Sequence, residues 1–323
     1  MTKLARRSLL AGASLAALPF AARAQAFPAR PMTLIVPWAA GGSTDTLGRV
    51  LAQTMAADLG QPIVVENRGG ASGTIGHNHV ARAAPDGYTF LLATNSTYAI
   101  APHLIPLPYD NRADFTGVSL VARVPQSLCI HPSVPAETFE EFIALVRNRP
   151  GEMTFSSAGI GASSHLATEL LMALTNTQML HVPYRGGGPS VQGLLGGEVN
   201  CSFVDVVTAL PFVRNNQLRM LAVSTAQRAQ LAPDVRTLQE AGVQGFESST
   251  DFAFLMPPNV PSERVDRIAG ALSRALTDPA TRERILALGI EPIGSNAAEF
   301  QEYWTRETEK WGDLIRRQNI TVG

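Results

Sequence analysis

The stretch Val36–Ala52, VPWAAGGSTDTLGRVLA, decides the fold. It leads from an apolar strand-like segment, MTLIVPW (32–38), through Gly41, Gly42 and a Ser-Thr-Asp cluster into a helical pattern. Leu47, Val50, Leu51 and Met55 share one apolar face of that helix. The first turn of a helix leaves backbone N–H groups without partners and carries partial positive charge, so it attracts anions. The glycine pair lets a ligand approach the backbone closely, and Ser43 or Thr44 is expected to cap the helix. An ordinary tight strand-to-helix turn has the same features, and this loop alone leaves both readings open. The Gly-Lys-Ser/Thr ending of a nucleotide loop and the Gly-x-Gly-x-x-Gly of a dinucleotide fold are both missing from it.

N-terminal to this loop, Lys3, Arg6 and Arg7 precede the apolar run LLAGASLAALPF, and ARA (22–24) or AQA (24–26) offers a small-residue cleavage site. This is the plan of a secretory signal over 1–26, too short to span a bilayer. RRSLL resembles a twin-arginine signal, and an ordinary secretory n-region accounts for it equally, so the Sec and Tat routes both stand. Removing 1–26 leaves 22 basic against 27 acidic side chains, a formal net charge of −5, which argues against a nucleic-acid partner. No later segment is apolar over a membrane-spanning length, so the expectation is a soluble exported protein. Cys129 (SLCIHP) and Cys201 (VNCSFVD) could form one disulfide in an oxidising compartment. Without a Cys-x-x-Cys spacing, two lone buried thiols are the favoured alternative.

The order of elements occurs twice. MTLIVPW, the glycine loop, a helix, QPIVVEN, Gly69-Gly70, a short helical run and YTFLLATNS make the first round. MTFSSAG, IGASSHL, a helix bearing Leu166, Leu170, Leu171 and Leu174, MLHVPY, RGGGPS and CSFVDVV make the second. Alternation of strand and helix builds an α/β lobe with a mostly parallel sheet flanked by helices, and ligands collect at the carboxyl ends of its strands. The runs GVSLVARVPQSLCIHPS and FESSTDFAFLMPPNV are two candidate hinge crossings, and the helices beyond Pro261 are expected to return over the first lobe. The division expected is 27–123 with 249–323 for lobe 1, and 124–248 for lobe 2.

FPARPMTLIVPWAAGGSTDTLGRVLA, GQPIVVENRGGASGTIG, APDGYTFLL, GIGASSHLATELL, HVPYRGGGPSVQGLLGGEV and LRMLAVSTAQR, in this order, resemble the extracytoplasmic solute receptors of tripartite tricarboxylate transporters, the Bug (TctC-like) receptors. The resemblance covers nearly all of the chain after the signal. It implies a two-lobed, type II-like periplasmic-binding-protein fold that closes on small organic acids, held by backbone amides, hydroxyls and waters. It further implies no cofactor, membrane transporter subunits as partners, and a periplasmic monomer. The ligand contacts implied are Gly42, Ser43, Thr44, Asp45, Asn95 and Ser96 from the first lobe. From the second they are Ser156, Ala158, Ser163, Ser164, His165, Tyr184, Gly186, Gly187 and Asp205. Asp45 lies in a helix's first turn, where a carboxylate stabilises the helix by itself, so a structural and indirect role comes before contact.

Other features carry less. HNH at His77–His79 has no third ligand at a metal-binding spacing, and isolated His103, His131 and His181 read as strand-end or turn residues. GASGT and GASSH both fail the last position of a Gly-x-Ser-x-Gly elbow, and adjacent Ser164 and His165 point in different directions on a helix. An exported hydrolase or lyase is therefore the weaker class, and a receptor feeding a sensor kinase is the nearer alternative. Arg185 reads equally as a ligand ion pair and as a solvated loop residue. Asp205 is expected first to accept hydrogen bonds from loop amides as a structural group. Its other readings are a seat for a ligand ammonium and a filter against more highly charged acids.

Overall fold

The computed structural model describes residues 27–70 and 73–321. The secretory-signal reading of 1–26 lies outside the described residues. In chain order the elements are β1 (Met32–Val36), α1 (Ser43–Leu59), β2 (Ile63–Asn67), α2 (Thr74–Ala81) and β3 (Thr89–Thr94). A π-helical turn, Ser96–Ile100, follows and leads to the long strand β4 (Thr116–Ile130). The second round comprises α3 (Phe139–Asn148), β5 (Thr154–Ser157), α4 (Ser163–Thr175), β6 (Leu180–Pro183), α5 (Gly187–Leu195), β7 (Cys201–Asp205), α6 (Val206–Arg214) and β8 (Arg219–Val223). The chain ends with β9 (Ser249–Met256), α7 (Ser262–Thr277), α8 (Pro279–Ala287), β10 (Glu291–Pro292) and α9 (Ala297–Gln318).

The strands follow the order β2-β1-β3-β9-β4-β7-β5-β6, with β8 and β10 also pairing with β4. Each end of this series is parallel, β1 with β2 and β3, and β5 with β6 and β7. The middle is antiparallel, because β9 pairs with both β3 and β4, and β4 pairs with β7 and β8. The sheet is thus mixed, with the parallel character confined to the two sets of strands that alternate with helices. The two extended crossings read from the sequence became ladder strands: β4 and β9 are long and apolar and bury nearly every residue, as central strands covered on both faces do.

β4 changes partners along its length. Thr116 to Pro125 pair with β9, whereas Gln126 to Ile130 pair with β7. Pro125 sits at the handover, the place in a ladder where a missing N–H disrupts least. Ser224 then fastens the two crossings to each other. Its hydroxyl accepts from Gln126 N–H (3.1 Å) and donates to the Ser248 carbonyl (2.7 Å), while its backbone bonds both residues again.

The apolar spacing of α1 buries Leu47, Val50, Leu51 and Met55 against β1 and β3. α7 and α8 pack over α1, as the return of the C-terminal helices requires. α9 does more than cover the first lobe. Phe300, Trp304 and Trp311 are fully or almost fully buried, and α9 packs against β4, the π-helical turn and α4 of the second round. The Trp304 indole donates to the Tyr98 carbonyl at 2.7 Å, which satisfies its one polar group in that core. Phe254, on β9, is also fully buried and stacks on Phe90 with ring centroids 5.4 Å apart. Phe254→Ala is expected to destabilise the fold by about 3–5 kcal/mol, read as a lowered urea midpoint at unchanged slope. A change below about 1 kcal/mol would contradict the central place given to β9.

Candidate functional site

The loops at the carboxyl ends of the parallel strands open on one cavity of about 580 Å³. Trp38, Gly42, Ser43 and Thr44 line it from the β1–α1 loop, and Thr94 and Ser96 from the end of β3. Ala158 to Ser163, Gly186 and Gly187 face them from the second round, with Thr250 between and Ala101, Leu104 and Ile105 as an apolar side. An adjoining inner chamber of about 450 Å³ shares Gly42, Ser43, Ala158, Ser163, Gly187 and Thr250, and adds Gln126, Ser164, Asp205 and Thr208. Among the described residues no lysine or arginine lines either space. Arg185 is exposed and lines neither.

The positive potential comes from helix ends instead. α1 starts after Gly42, α4 after Ala162 and α5 after Gly186, and none of these N-caps offers a side-chain acceptor. The expectation that Ser43 or Thr44 caps α1 is corrected here: both lie inside the helix, and the cap is Gly42. By contrast α3, α8 and α9 are closed by Thr138, Asp278 and Asn296 side chains. The first-turn N–H groups of α1, α4 and α5 are therefore left for an occupant of the cleft.

One device aims both lobes' main helices. Gly41 and Gly161 each adopt a left-handed φ, +87° and +77°, one residue before the N-cap. The third residue of each helix then reaches back to that glycine: Asp45 Oδ2 accepts from Gly41 N–H at 2.9 Å, and His165 Nδ1 accepts from Gly161 N–H at 3.2 Å. Asp45 is also held by Arg49 (3.0 Å) and Asn67 (3.0 Å). Burial works to raise its carboxyl pKa, and the bonds from Arg49, Gly41 and Asn67 overcome it, leaving the group below the usual range. His165 stacks on His181 with centroids 4.0 Å apart.

Side chains named from the sequence thus divide. Gly42, Ser43, Thr44, Ser96, Ala158, Ser163, Gly186 and Gly187 line the cavity, and Ser164 and Asp205 the inner chamber. Asp45, Asn95, Ser156, His165 and Tyr184 do not line either space. Asn95 bonds the Ser249 carbonyl (2.8 Å), Ser156 the Ser190 carbonyl (3.1 Å), and the Tyr184 hydroxyl donates to Glu198 (2.7 Å). Gln126, Thr250, Leu104 and Ile105 are linings that the sequence did not announce. Trp38 adds to the apolar lining, its indole donating to Thr94 Oγ1 at 3.2 Å.

Elsewhere, His77 is buried against Tyr109 and Phe115, and burial pulls its imidazole down to about 4. Among the described residues no group of His, Cys, Asp and Glu is placed to hold a metal. Cys129 and Cys201 are buried free thiols.

The family profile described as "Tripartite tricarboxylate transporter family receptor" (TctC) matches residues 47–320. The chain belongs to that family. This receptor is 36% identical over 295 residues to Protein BugT of Bordetella pertussis, covering 91% of this chain and 90% of that one. It superposes on periplasmic binding protein BugD with a TM-score of 0.78 at 33% identity, covering 91% of this chain and 99% of BugD. An R. palustris protein solved with adipate gives a TM-score of 0.82 at 32% identity, with 91% and 99% covered. The receptor therefore has the two-lobed periplasmic-binding-protein fold.

Asp205 is the receptor's one acidic lining residue among those described. It stands at the N-cap of α6, yet its side chain accepts no cap bond there, and no ion pair reaches it. The loop amides expected to hold it do not. Burial pushes its carboxyl up to about 6, against the lowering effect of the Gln126 amide. A carboxyl with a raised folded pKa holds more protons folded than unfolded, so the stability it contributes is lost as pH rises from about 4 to about 6. Asp205→Asn is expected to remove that loss, seen as a variant-minus-wild-type melting temperature that grows across this window in the ligand-free receptor. A difference that stays flat would contradict the raised pKa.

Proposed function

We propose that the receptor captures a small organic carboxylate between its lobes in the periplasm and presents it to the membrane subunits of a tripartite transporter. It works as a monomer after removal of 1–26, without a cofactor and without chemistry on the solute. The bodies that move are 27–123 with 249–323, and 124–248, turning about the β4 crossing at Arg123–Val124 and the return at Ser248–Ser249. The observation that carries this reading is the convergence of three helix N-termini without side-chain caps on a cavity with no basic lining residue among those described. The adipate in the R. palustris relative supports the same ligand class.

Energetics permit binding without an arginine. Hydrogen bonds to a charged group contribute about 1.5–3 kcal/mol each, so four or five supply roughly 6–15 kcal/mol. Micromolar affinity needs about 8 kcal/mol net of ordering costs. Among the described residues no helix is long and apolar enough to cross a membrane.

A thermal-shift screen of residues 27–323 against mono-, di- and tricarboxylates tests the proposal. A true ligand at a hundred times its dissociation constant is expected to stabilise by about 2.7 kcal/mol. Failure of every carboxylate, or turnover of a bound one followed by NMR, would contradict it. Ser163 lines both spaces, its hydroxyl 2.8 Å from that of Thr250, and the Ser164 hydroxyl accepts from Ala158 N–H at 3.1 Å. Changing both to alanine is expected to weaken the ligand by roughly 2–4 kcal/mol in calorimetry, with folding checked separately. Unchanged affinity in the folded double variant would move the site elsewhere.

A further inference from the structure

The two spaces of the cleft differ in polarity. The outer cavity presents helix N-termini and carries no acid. The inner chamber, which shares Gly42, Ser43, Ser163 and Gly187 with it, adds Asp205 and Gln126, which face each other across the β4–β7 ladder. Gln126 is only 3% exposed, and its Nε2 donates toward Ser163 Oγ at 3.3 Å. Its Oε1 is buried with no hydrogen-bond partner. Asp205 has the Gln126 amide as its polar neighbour and no cation within ion-pair reach among the described residues. The chamber therefore holds a negative charge without a counter-charge and an amide oxygen without a donor.

A buried acceptor without a donor, as Gln126 Oε1 is, is costly, a half-buried carboxylate without a counter-charge is costly too, and native sites keep such groups where something else completes them. The helices cannot complete this one, because Asp205 takes no N–H from α6. A second carboxylate on the solute would meet repulsion there. A hydroxyl would satisfy one acceptor and leave the charge standing. An ammonium brings three donors and the missing positive charge.

We propose that Asp205 is the specificity-determining residue of the cleft and receives a cationic nitrogen, so that the solute is an amino-bearing carboxylate. Its carboxylate lies at the N-termini of α1, α4 and α5, and its ammonium lies in the inner chamber beside Asp205 and Thr208. This rests on the reading of the cleft as a carboxylate receptor and names the class of carboxylate. It also gives the uncapped carboxyl at the start of α6 a partner that the fold withholds.

Calorimetry with matched pairs that differ only in the amine tests it: alanine and propionate, aspartate and succinate, glutamate and glutarate. The wild-type receptor is expected to bind the amino member of at least one pair about tenfold or more tightly than its deaminated partner, and Asp205→Asn to narrow that gap by a similar factor. Because the substitution removes a half-buried charge that has no ion-pair partner, the variant is expected to fold, with a ligand-free melting temperature at or above that of wild type near pH 7. Deaminated partners that bind wild type as tightly as the amino acids would overturn the proposal without any variant. Equal weakening of both members in Asp205→Asn would overturn it too, returning Asp205 to a structural role while leaving the carboxylate reading intact. Silence of all six compounds and of the wider carboxylate panel would overturn the receptor reading and this proposal together.

Discussion

The structure depends on one constraint, that the ends of α1 and α4 must point bare backbone N–H groups into a shared space. A side-chain cap would satisfy those groups and close the site, so the caps are Gly42 and Ala162. Loops without caps need another restraint. The left-handed glycines Gly41 and Gly161 supply the turn, and the buried third residues Asp45 and His165 supply the grip on it. Chemically different side chains, a carboxylate and an imidazole, thus do the same work in the two lobes. On the proposed reading a ligand meets preset dipoles rather than mobile cations, which limits the ordering cost of binding.

The crossing strands carry this arrangement from one lobe to the other. β9 brings Thr250 to the hydroxyl of Ser163 at 2.8 Å, and immediately behind it Asp251 is almost wholly buried. Asp251 accepts from Ser249 Oγ at 2.7 Å and from the Tyr303 hydroxyl of α9, and its amide bonds Asn95 at the end of β3. Glu307, one turn further along α9, is also buried. Burial raises its carboxyl pKa, Lys310 opposes that rise, and the Trp311 indole donates to it at 2.9 Å. Breaking such a buried set by removing one partner typically costs about 3–5 kcal/mol. The polar network therefore fixes β9, the strand that carries Thr250 into the cavity lining, and Asn95 belongs to that support.

Much of this was legible in the sequence, and the reason is local. Gly-rich strand-to-helix loops and apolar helix faces are short-range patterns, so the order of elements and the doubled loop motif could be read from adjacent residues, whereas the individual lining glycines and serines came from the family resemblance. What escaped was set by distant partners. Whether Asp45 or His165 faces the ligand or its own loop depends on a glycine four residues back and on half-buried neighbours such as Asn67 and His181. Gln126 and Thr250 lie in runs that read only as extended apolar chain, and their place in the cleft follows from the pairing of β4 with β7 and β9. The antiparallel middle of the sheet and the reach of α9 to α4 were hidden for the same reason.

The central claim is that backbone amides, not basic side chains, hold the solute's carboxylate. Nitrogen–proton NMR correlation spectra of the isotope-labelled receptor, recorded during titration with a carboxylate that stabilises it, test this most directly. The account predicts that the amides of Ser43, Thr44, Ser163, Ser164, Gly187 and Gly188 shift downfield together and saturate with the same dissociation constant. Shifts confined to arginine side chains such as that of Arg185, with these six amides unmoved, would contradict it.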